Sequence, residues 1–492
     1  MTLTERLTAA LAAPATDAAF DPHAELSELL AGIGMSSGDT GGAILFRGAD
    51  PVVPSTLRLG GAAAIALAAK SAAIAALWRR RGGPGQDITV DLRTAPHRLC
   101  PFYDRRWELL NGYPAGTPAN ANNALGFRFY RTADERWVMP LNPYPKIKVA
   151  AQRLLGVPED SRAVAAAVAR WDARELEDAG AAAGVVLPML RTTAELLNEP
   201  HYRDFLAEMP LVEITRIGDS EAEPLASGAE QPLSGVRALG AGHVIAGAGA
   251  GRALALHGAD VLNLWRPTEL EHDATYVSAN VGVRSATLDP FDSDGGRRFR
   301  ELLAGADIFY ANRRPGYLAK LGATAAEAAA IRPGIIHAGV SLNGERGPWA
   351  DRLGFDQTAG SLTGMMQLEG GESGPRLPPV MVVNDYIVSW LLTAGIVEAL
   401  ARRAEHGGSY RVHVSLTRAA LWILSLGVFD REYAHATAGR GEEHRYLDPE
   451  TFTADTPLGH YQGVTEQVWM SRTPGRYRTV LVPRGSGRAE WR

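Results

Sequence analysis

The stretch from Pro232 to Pro267, PLSGVRALGAGHVIAGAGAGRALALHGADVLNLWRP, sets a short extended run, a glycine-rich turn, an apolar helical pattern and a second extended run end to end. Its periodicities predict a strand at Val236 to Leu239, a helix at Gly249 to His257 and a strand at Asp260 to Trp265. The alternation continues, with strands expected at Ala306 to Ala311 and Gly334 to Ser341 and helices at Gly295 to Leu303 and Ala325 to Ile331. Strands that alternate with helices favour a parallel sheet covered on its faces, and such sheets bind ligands beyond the carboxyl ends of their strands. The expected fold class is therefore α/β, a large domain on a Rossmann-like parallel sheet with a smaller α+β domain. The glycines Gly240, Gly242, Gly247, Gly249 and Gly251 have two readings, a backbone opened to a ligand phosphate or a close-packed turn. A dinucleotide fingerprint also needs an acid at the end of the second strand, and here that strand closes on Leu264-Trp265-Arg266.

Outside this stretch, length and charge set the bounds. With 492 residues, 46% hydrophobic and 21% charged, the chain can bury more than one core. Fifty Lys and Arg against 55 Asp and Glu give a net charge of −5, which offers no general field for nucleic acid or an anionic membrane. The single cysteine, Cys100, excludes an internal disulfide and fits a reducing cytoplasm. The opening MTLTERLTAALAAPATD lacks an uninterrupted apolar core and does not read as a signal peptide. The most apolar run, Gly60 to Leu77, contains Lys70 and reads as a buried helix rather than a membrane span. Composition shifts divide the chain into a helical extension (1–54), a helix-strand part with a linker (55–124), a small α+β domain (125–217), a second linker (218–231), the Rossmann-like half (232–430) and a C-terminal extension (431–492). The small domain holds a hairpin over Phe127 to Met139, turning at Ala133-Asp134-Glu135.

A helix-strand unit occurs twice. Ser55 to Arg80 followed by Gly82, Gly83 and the strand QDITVDL is matched 324 residues later by Asp385 to Arg403, Gly407, Gly408 and YRVHVSL. In that register Asp385 falls on Gly61, so one copy alone bears a carboxylate. An Asp at a helix start caps free amides by default. The helix that follows, VVNDYIVSWLLTAGIVEALARR, is apolar almost all round, which buries it and turns its tip toward a cleft. Capping group and nucleophile both stand as readings of Asp385.

Other residues lie near strand ends. Asn312-Arg313-Arg314-Pro315-Gly316 is a solvated turn or a phosphate-meeting loop, and Gly344-Glu345-Arg346-Gly347-Pro348 a turn first. His243 stands just past the first strand with no Ser or Cys partner to suggest a triad, and no cluster has metal-ligand spacing.

Taken together, PLSGVRALGAGHVIAGAGAGRALALHGADVLNLWRP, VGVRSATLD, NRRPG, GERGPW, GFDQTAG and NDYIVSW with GGSYRVHVSL resemble the family III CoA-transferases of the formyl-CoA and carnitine CoA-transferase type. FYRTADERWV and GVVLPMLRTTAELLNEPHYR resemble the complementary part of the same family. The order is permuted or partially duplicated, with the downstream half first. The resemblance implies Asp385 as a nucleophile that attacks an acyl-CoA thioester and passes through an aspartyl anhydride and an aspartyl-CoA thioester. An ordinary Asp, with a pKa of ~3.9, is ionised at pH 7 and needs no general base. It implies amides at the helix start as the stabilisers of tetrahedral intermediates. His243, Val244, Arg266, Leu288, Lys320 and Leu321 are implied along the CoA path. The implied substrates are an acyl-CoA and a carboxylic acid, with no tightly bound cofactor, and the implied assembly is a homodimer. An acyl-CoA isomerase or lyase on the same fold, or a catalytically degenerate CoA-binding protein, are the alternatives. Gly240, Trp265, Ser389 and Gly360 depart from the family pattern, and Phe355 replaces the histidine of the related racemases.

Overall fold

In the computed structural model, which describes residues 1–116 and 123–492, the predicted alternation becomes a seven-stranded sheet. In chain order the elements that matter are β1 (Ile44–Arg47), α1 (Leu59–Arg80), β2 (Ile88–Asp91), β3 (Glu213–Gly218), β4 (Arg237–Ala241), α2 (Ala248–Leu256), β5 (Asp260–Trp265), β6 (Arg284–Thr287), β7 (Ile308–Ala311), β8 (Ile336–Ser341), α3 (Asn384–His406), β9 (Ser409–Ser415) and β10 (Val468–Met470). The large sheet runs β6-β5-β4-β7-β8-β9-β3. Every pairing is parallel except β9 with β3, so the fold is α/β with one antiparallel edge.

The repeated unit is visible as structure. β1 and β2 pair in parallel around α1, as β8 and β9 pair around α3, and β10 adds an antiparallel strand to β2. The two helices pack against each other in the middle of the protein. Alanines along α1, buried from Leu59 to Leu77, let the helices approach closely. By length and composition α1 would cross a membrane, yet its whole apolar window is buried inside the protein. Each helix receives its cap from a remote aspartate. Asp50 accepts the amides of Gly60 at 3.0 Å and Gly61 at 2.6 Å, and Asp356 accepts those of Val383 and Asp385, each at 3.1 Å, and that of Asn384.

Several segments sit differently from their sequence boundaries. The N-terminal stretch contributes β1 as well as the helices Leu3–Ala12 and Pro22–Gly32. Residues 213–217, read with the small domain, form the edge strand of the large sheet because β9 offers them an unpaired edge. The C-terminal segment is woven in, through β10 on β2 and through Tyr461 and Leu481 against Trp265. Part of the first linker, 117–122, lies outside the described residues. Within 125–217, Tyr130–Arg131 pairs with Trp137–Val138 as the hairpin pattern requires, and helices Pro145–Leu155, Ser161–Val168 and Ala173–Ala183 cover it. Buried Arg191 closes this unit, held by Glu177 at 2.6 Å and Glu199 at 2.9 Å.

The glycines after β4 are explained by packing. A Cβ on Gly240 would stand 2.2 Å from Tyr310 Cζ, and one on Gly251 would stand 2.4 Å from the Tyr310 hydroxyl. The Tyr310 ring thus fills the space in which a phosphate would have to approach, and its own hydroxyl is buried without a partner. Tyr310→Phe is expected to raise stability by about 1 kcal/mol, since it removes an unpaired buried polar group, and Gly240→Ala to lower it by about 1–3 kcal/mol by overpacking. Urea midpoints of the two variants check both signs.

Candidate functional site

The carboxyl ends of β4 to β8 converge on one face of the large sheet, and the residues expected there follow those ends. His243 comes two residues after β4. Asn312, directly after β7, pins it: its Oδ1 accepts the His243 amide at 2.9 Å and its Nδ2 donates to the His243 carbonyl at 2.7 Å. Val244 is turned into the left-handed region, φ +58°, which aims its amide at Glu271 Oε2, 2.7 Å away. The His243 ring meets the Leu270 carbonyl at 3.0 Å, with Tyr144 and Trp265 on its sides at 5.4 and 5.7 Å. Burial pushes its pKa down against the pull of Glu271, so the ring is neutral at pH 7.

Tyr144 reaches this place from the small α+β unit. Its hydroxyl donates to Glu271 Oε1 at 3.0 Å, and its ring stacks on Phe355 at 6.0 Å and packs on His272 at 4.8 Å. Glu271 also accepts the Thr275 hydroxyl at 2.8 Å, so one carboxylate ties the two units together. Tyr144 lies close enough to Asp385 for that carboxyl to help hold its hydroxyl in the protonated form, behind the larger effects of burial and Glu271.

Asp385 sits in the first turn of α3 and is 6% exposed. It does not cap its own helix; Asp356 does, from the start of the helix Asp356–Thr363. The amides of Val383, Asn384 and Asp385, expected to face an intermediate, are therefore already occupied. Among the described residues no donor is placed on the Asp385 carboxyl. Burial, and then the charge of Asp356 beside it, push its pKa well above the carboxylate range, while Asp356, raised by burial and held by its three amides, lies at about 6. The charged form of the expected ready-made carboxylate is thus disfavoured in the free protein, because nothing around it supplies a positive charge. The same pair of acids, after burial itself, helps raise the buried Cys100 thiol, which stays inert.

The cations gather next door. A cleft of about 540 Å³ is lined by Lys146, Arg266, Arg314 and Lys320, with Phe291 and Tyr317 as apolar walls. Arg266 stacks over Phe291 at 4.8 Å and is held by Asp289 at 3.5 Å. Lys320 projects from the helix Pro315–Leu321. Leu321, on the same helix, is turned inward to the sheet core and Leu288 packs against that core, so neither is placed on the cleft wall. The two arginines of the NRRPG turn divide: Arg313 is spent on Glu269 at 2.8 Å and the Ala241 carbonyl at 3.1 Å, and Arg314 faces the cleft. Asp385 does not line this cleft. Tyr144, close enough to feel Asp385, lies two residues before Lys146 in the chain.

The departures from the family pattern are accommodated. Ser389 donates to the carbonyls of Asp385 at 2.8 Å and Ala246 at 2.9 Å, and it fits because Gly249 faces it: a Cβ there would meet Ser389 Oγ at 2.6 Å. Trp265 is buried between His243 and Tyr276. Phe355 forms the stacking partner of Tyr144. Tyr144, Glu271 and Asp356 were not singled out by the sequence. Asp356 lies in the landmark GFDQTAG and Tyr144 between two prolines in NPYPK, and neither position shows which helix tip or ring it reaches. Among the described residues no group of acids, cysteines and histidines has the geometry to hold a metal.

Comparison with known proteins bears on the same residues. The family model described as CoA-transferase family III matches residues 233–479, half of the chain. The chain is 33% identical over 242 residues to the succinyl-CoA–L-malate CoA-transferase alpha subunit of Chloroflexus aurantiacus, covering 44% of this chain and 53% of that protein. It is 30% identical over 211 residues to the formyl-CoA:oxalate CoA-transferase of Streptomyces avermitilis, covering 41% and 51%. The chain thus spans about half the length of the curated relatives it matches. The crystal structure of a CAIB/BAIF family protein from Brucella suis overlaps 47% of this chain and 65% of its own at 25% identity, with a TM-score of 0.37.

The raised pKa of Asp385 has a sign. A carboxyl whose folded pKa lies above its unfolded value supports the fold below about pH 4, and that support is lost as pH rises toward the folded pKa. Asp385→Asn is therefore expected to raise the Tm by several degrees at pH 7 to 8, with the gain shrinking toward pH 4. Thermal unfolding of both proteins across that range reads it directly.

Proposed function

The chain belongs to CoA-transferase family III, and we propose that it moves coenzyme A from an acyl-CoA to a carboxylic acid with Asp385 as the nucleophile. The observation that carries this reading is a secluded carboxyl at the tip of α3 together with a four-cation cleft, with Tyr144 near the carboxyl and Lys146 of the same segment on the cleft wall. Arg266, Arg314, Lys320 and Lys146 are suited to the phosphates of CoA. The thioester end would then pass Tyr144 and His243 to reach Asp385. His243 and Val244 shape that passage through their backbone and ring, whereas Leu288 and Leu321 support its wall from the core.

The chemistry has to begin with loss of the Asp385 proton. Asp356, whose Oδ2 already accepts three amides of α3, does not take that proton; its charge beside Asp385 makes the loss harder, so the reaction is favoured as pH rises. The Asp385 carboxylate attacks the thioester carbonyl, the carbon–sulfur bond breaks, and CoA thiolate leaves a mixed anhydride. Thiolate then attacks the aspartyl carbonyl, releasing the first acid and forming an aspartyl-CoA thioester. The acceptor carboxylate attacks that carbonyl and expels thiolate to give a second anhydride. Attack of thiolate on the acceptor's carbonyl yields the new acyl-CoA and restores Asp385. A raised pKa makes the ionised Asp385 a stronger nucleophile than an ordinary carboxylate, at the cost of a smaller ionised fraction.

Tyr144 of the small unit and Asp385 of the large one are brought near each other within one chain. The disfavoured charge of Asp385 also supports a second reading, a CoA-binding protein without turnover.

Incubation with a panel of acyl-CoA thioesters and hydroxylamine is expected to convert Asp385 to a hydroxamate, at a rate that climbs with pH through the neutral range. CoA binding with no modified peptide across the panel selects the second reading. Arg266→Ala and Lys320→Ala are expected to raise KM for acyl-CoA about tenfold each, with a shallower salt dependence and a nearly unchanged kcat.

A further inference from the structure

Away from the Asp385 face, a cavity of about 690 Å³ opens between α1, the end of α2 and the C-terminal segment around β10. Its inner side carries polar groups that the protein itself leaves unsatisfied. Ser71 Oγ and both ring nitrogens of His257 are buried with no hydrogen-bond partner, and both residues line the cavity. Lys70, also lining it and 1% exposed, spends one donor on Glu466 Oε2 at 2.5 Å, which leaves the other ammonium hydrogens free.

Charge deepens the pattern. Behind Lys70, Arg98 reaches Glu466 at 3.3 Å, and Arg252 lies 3.5 Å from Glu108 and 4.0 Å from Glu466. All five side chains are buried, three cations against two carboxylates. Against the burial that would raise it, these cations hold Glu466 far below the usual carboxylate range, so its charge is committed. The cations outnumber the carboxylates by one in a desolvated place, and burial with Arg98 and Arg252 lowers the Lys70 pKa against the pull of Glu466, so an anion at Lys70 would favour its charged form. Burial, with Lys70 beside it, drops the His257 pKa to about 3, so its neutral ring presents one N–H and one lone pair. The outer walls are different in kind. Phe452, Tyr477, Val480 and Trp469, the last 58% exposed, make an apolar mouth, with Arg47, Asp448, Glu450 and Arg476 solvated around it.

We propose that this cavity is a second binding site, for a small organic carboxylate with a flat or branched apolar body, whose head meets Lys70, Ser71 and His257. The site stands apart from the nucleotide cleft and needs no assumption about the reaction at Asp385. Glu466 and Arg98 lead from its floor to Tyr386, over which Arg98 lies at 4.4 Å, and Tyr386 directly follows Asp385.

Sodium phenylacetate is the probe. Titration calorimetry on the full chain, with CoA added to saturation, is expected to show one site with a Kd below ~1 mM, and neutral phenylacetamide to bind at least about tenfold more weakly. His257→Leu and Ser71→Val should each weaken phenylacetate at least about tenfold without lowering the Tm, since both remove unpaired buried polar atoms. Asp385→Asn should leave the affinity unchanged. Should either floor variant misfold, Trp469→Phe, a change at an exposed position, decides by losing the fluorescence response that phenylacetate gives the parent protein. The proposal is overturned by no binding to the parent protein, by equal affinity for the amide, by an unchanged fluorescence response in Trp469→Phe, or by loss of the site in Asp385→Asn.

Discussion

The structure turns on one carboxylate, that of Asp356, which receives the first three amides of α3. A helix start leaves its leading amides without intrahelical partners, and a buried start cannot give them to water. Asp356 resolves that shortage from another element, and hydrogen bonds to a charged acceptor are worth roughly 1.5–3 kcal/mol each. Because the cap is taken, the Asp385 side chain is not drawn onto its own helix start. Because the cap is charged, Asp385 is denied its own charge. The same contact thus leaves the acid off the cap and disfavours its ionised form.

The first copy of the unit shows what this arrangement costs when no acid is present. α1 is capped by Asp50 through Gly60 and Gly61, and the glycines leave room for Asp50 to come close: a Cβ at Gly60 would meet its Oδ1 at 2.6 Å. Position 61, the counterpart of Asp385, thus serves the cap alone. The two helices then pack on each other, and the buried Lys70, Glu466, Arg98 and Arg252 group, drawn from four separate stretches of sequence, ties α1 to α2 and to the C-terminal segment. Breaking such a group by removing one partner leaves an unpaired buried charge, so the C-terminal segment that carries Glu466 is locked to the core rather than appended to it.

Much of this was legible in the sequence and some was not, for a physical reason that differs case by case. Periodicity marked β4, α2, β5, β7 and β8 because each is a short element whose pattern is local. The glycine stops after α1 and α3 marked the repeat. The edge strand β3 was hidden because its partner β9 lies almost two hundred residues away, and an edge strand with one wet face carries little pattern of its own. Asp385 and His243 drew notice because helix tips and strand ends are fixed by topology, whereas Arg266 and Lys320 came from the family resemblance alone. Leu288 and Leu321 were placed on the ligand path, whereas Leu321 belongs to the core, since one helical turn decides between a wall and the interior. The state of Asp385 was beyond reach, for it is set by Asp356 across the fold.

These elements give a consistent division of labour at the site. Cations that would serve phosphates are kept in a solvated cleft, where opposite charges such as Asp289 and Asp351 are near and their own desolvation is modest. The Asp385 carboxyl is buried with no cation beside it. The hydrogen bond between Tyr144 and Glu271 joins the small unit to the large one. An acid held in its uncharged form at a buried helix tip avoids the desolvation of a bare carboxylate, whereas cations left in a solvated cleft pay little for their charge.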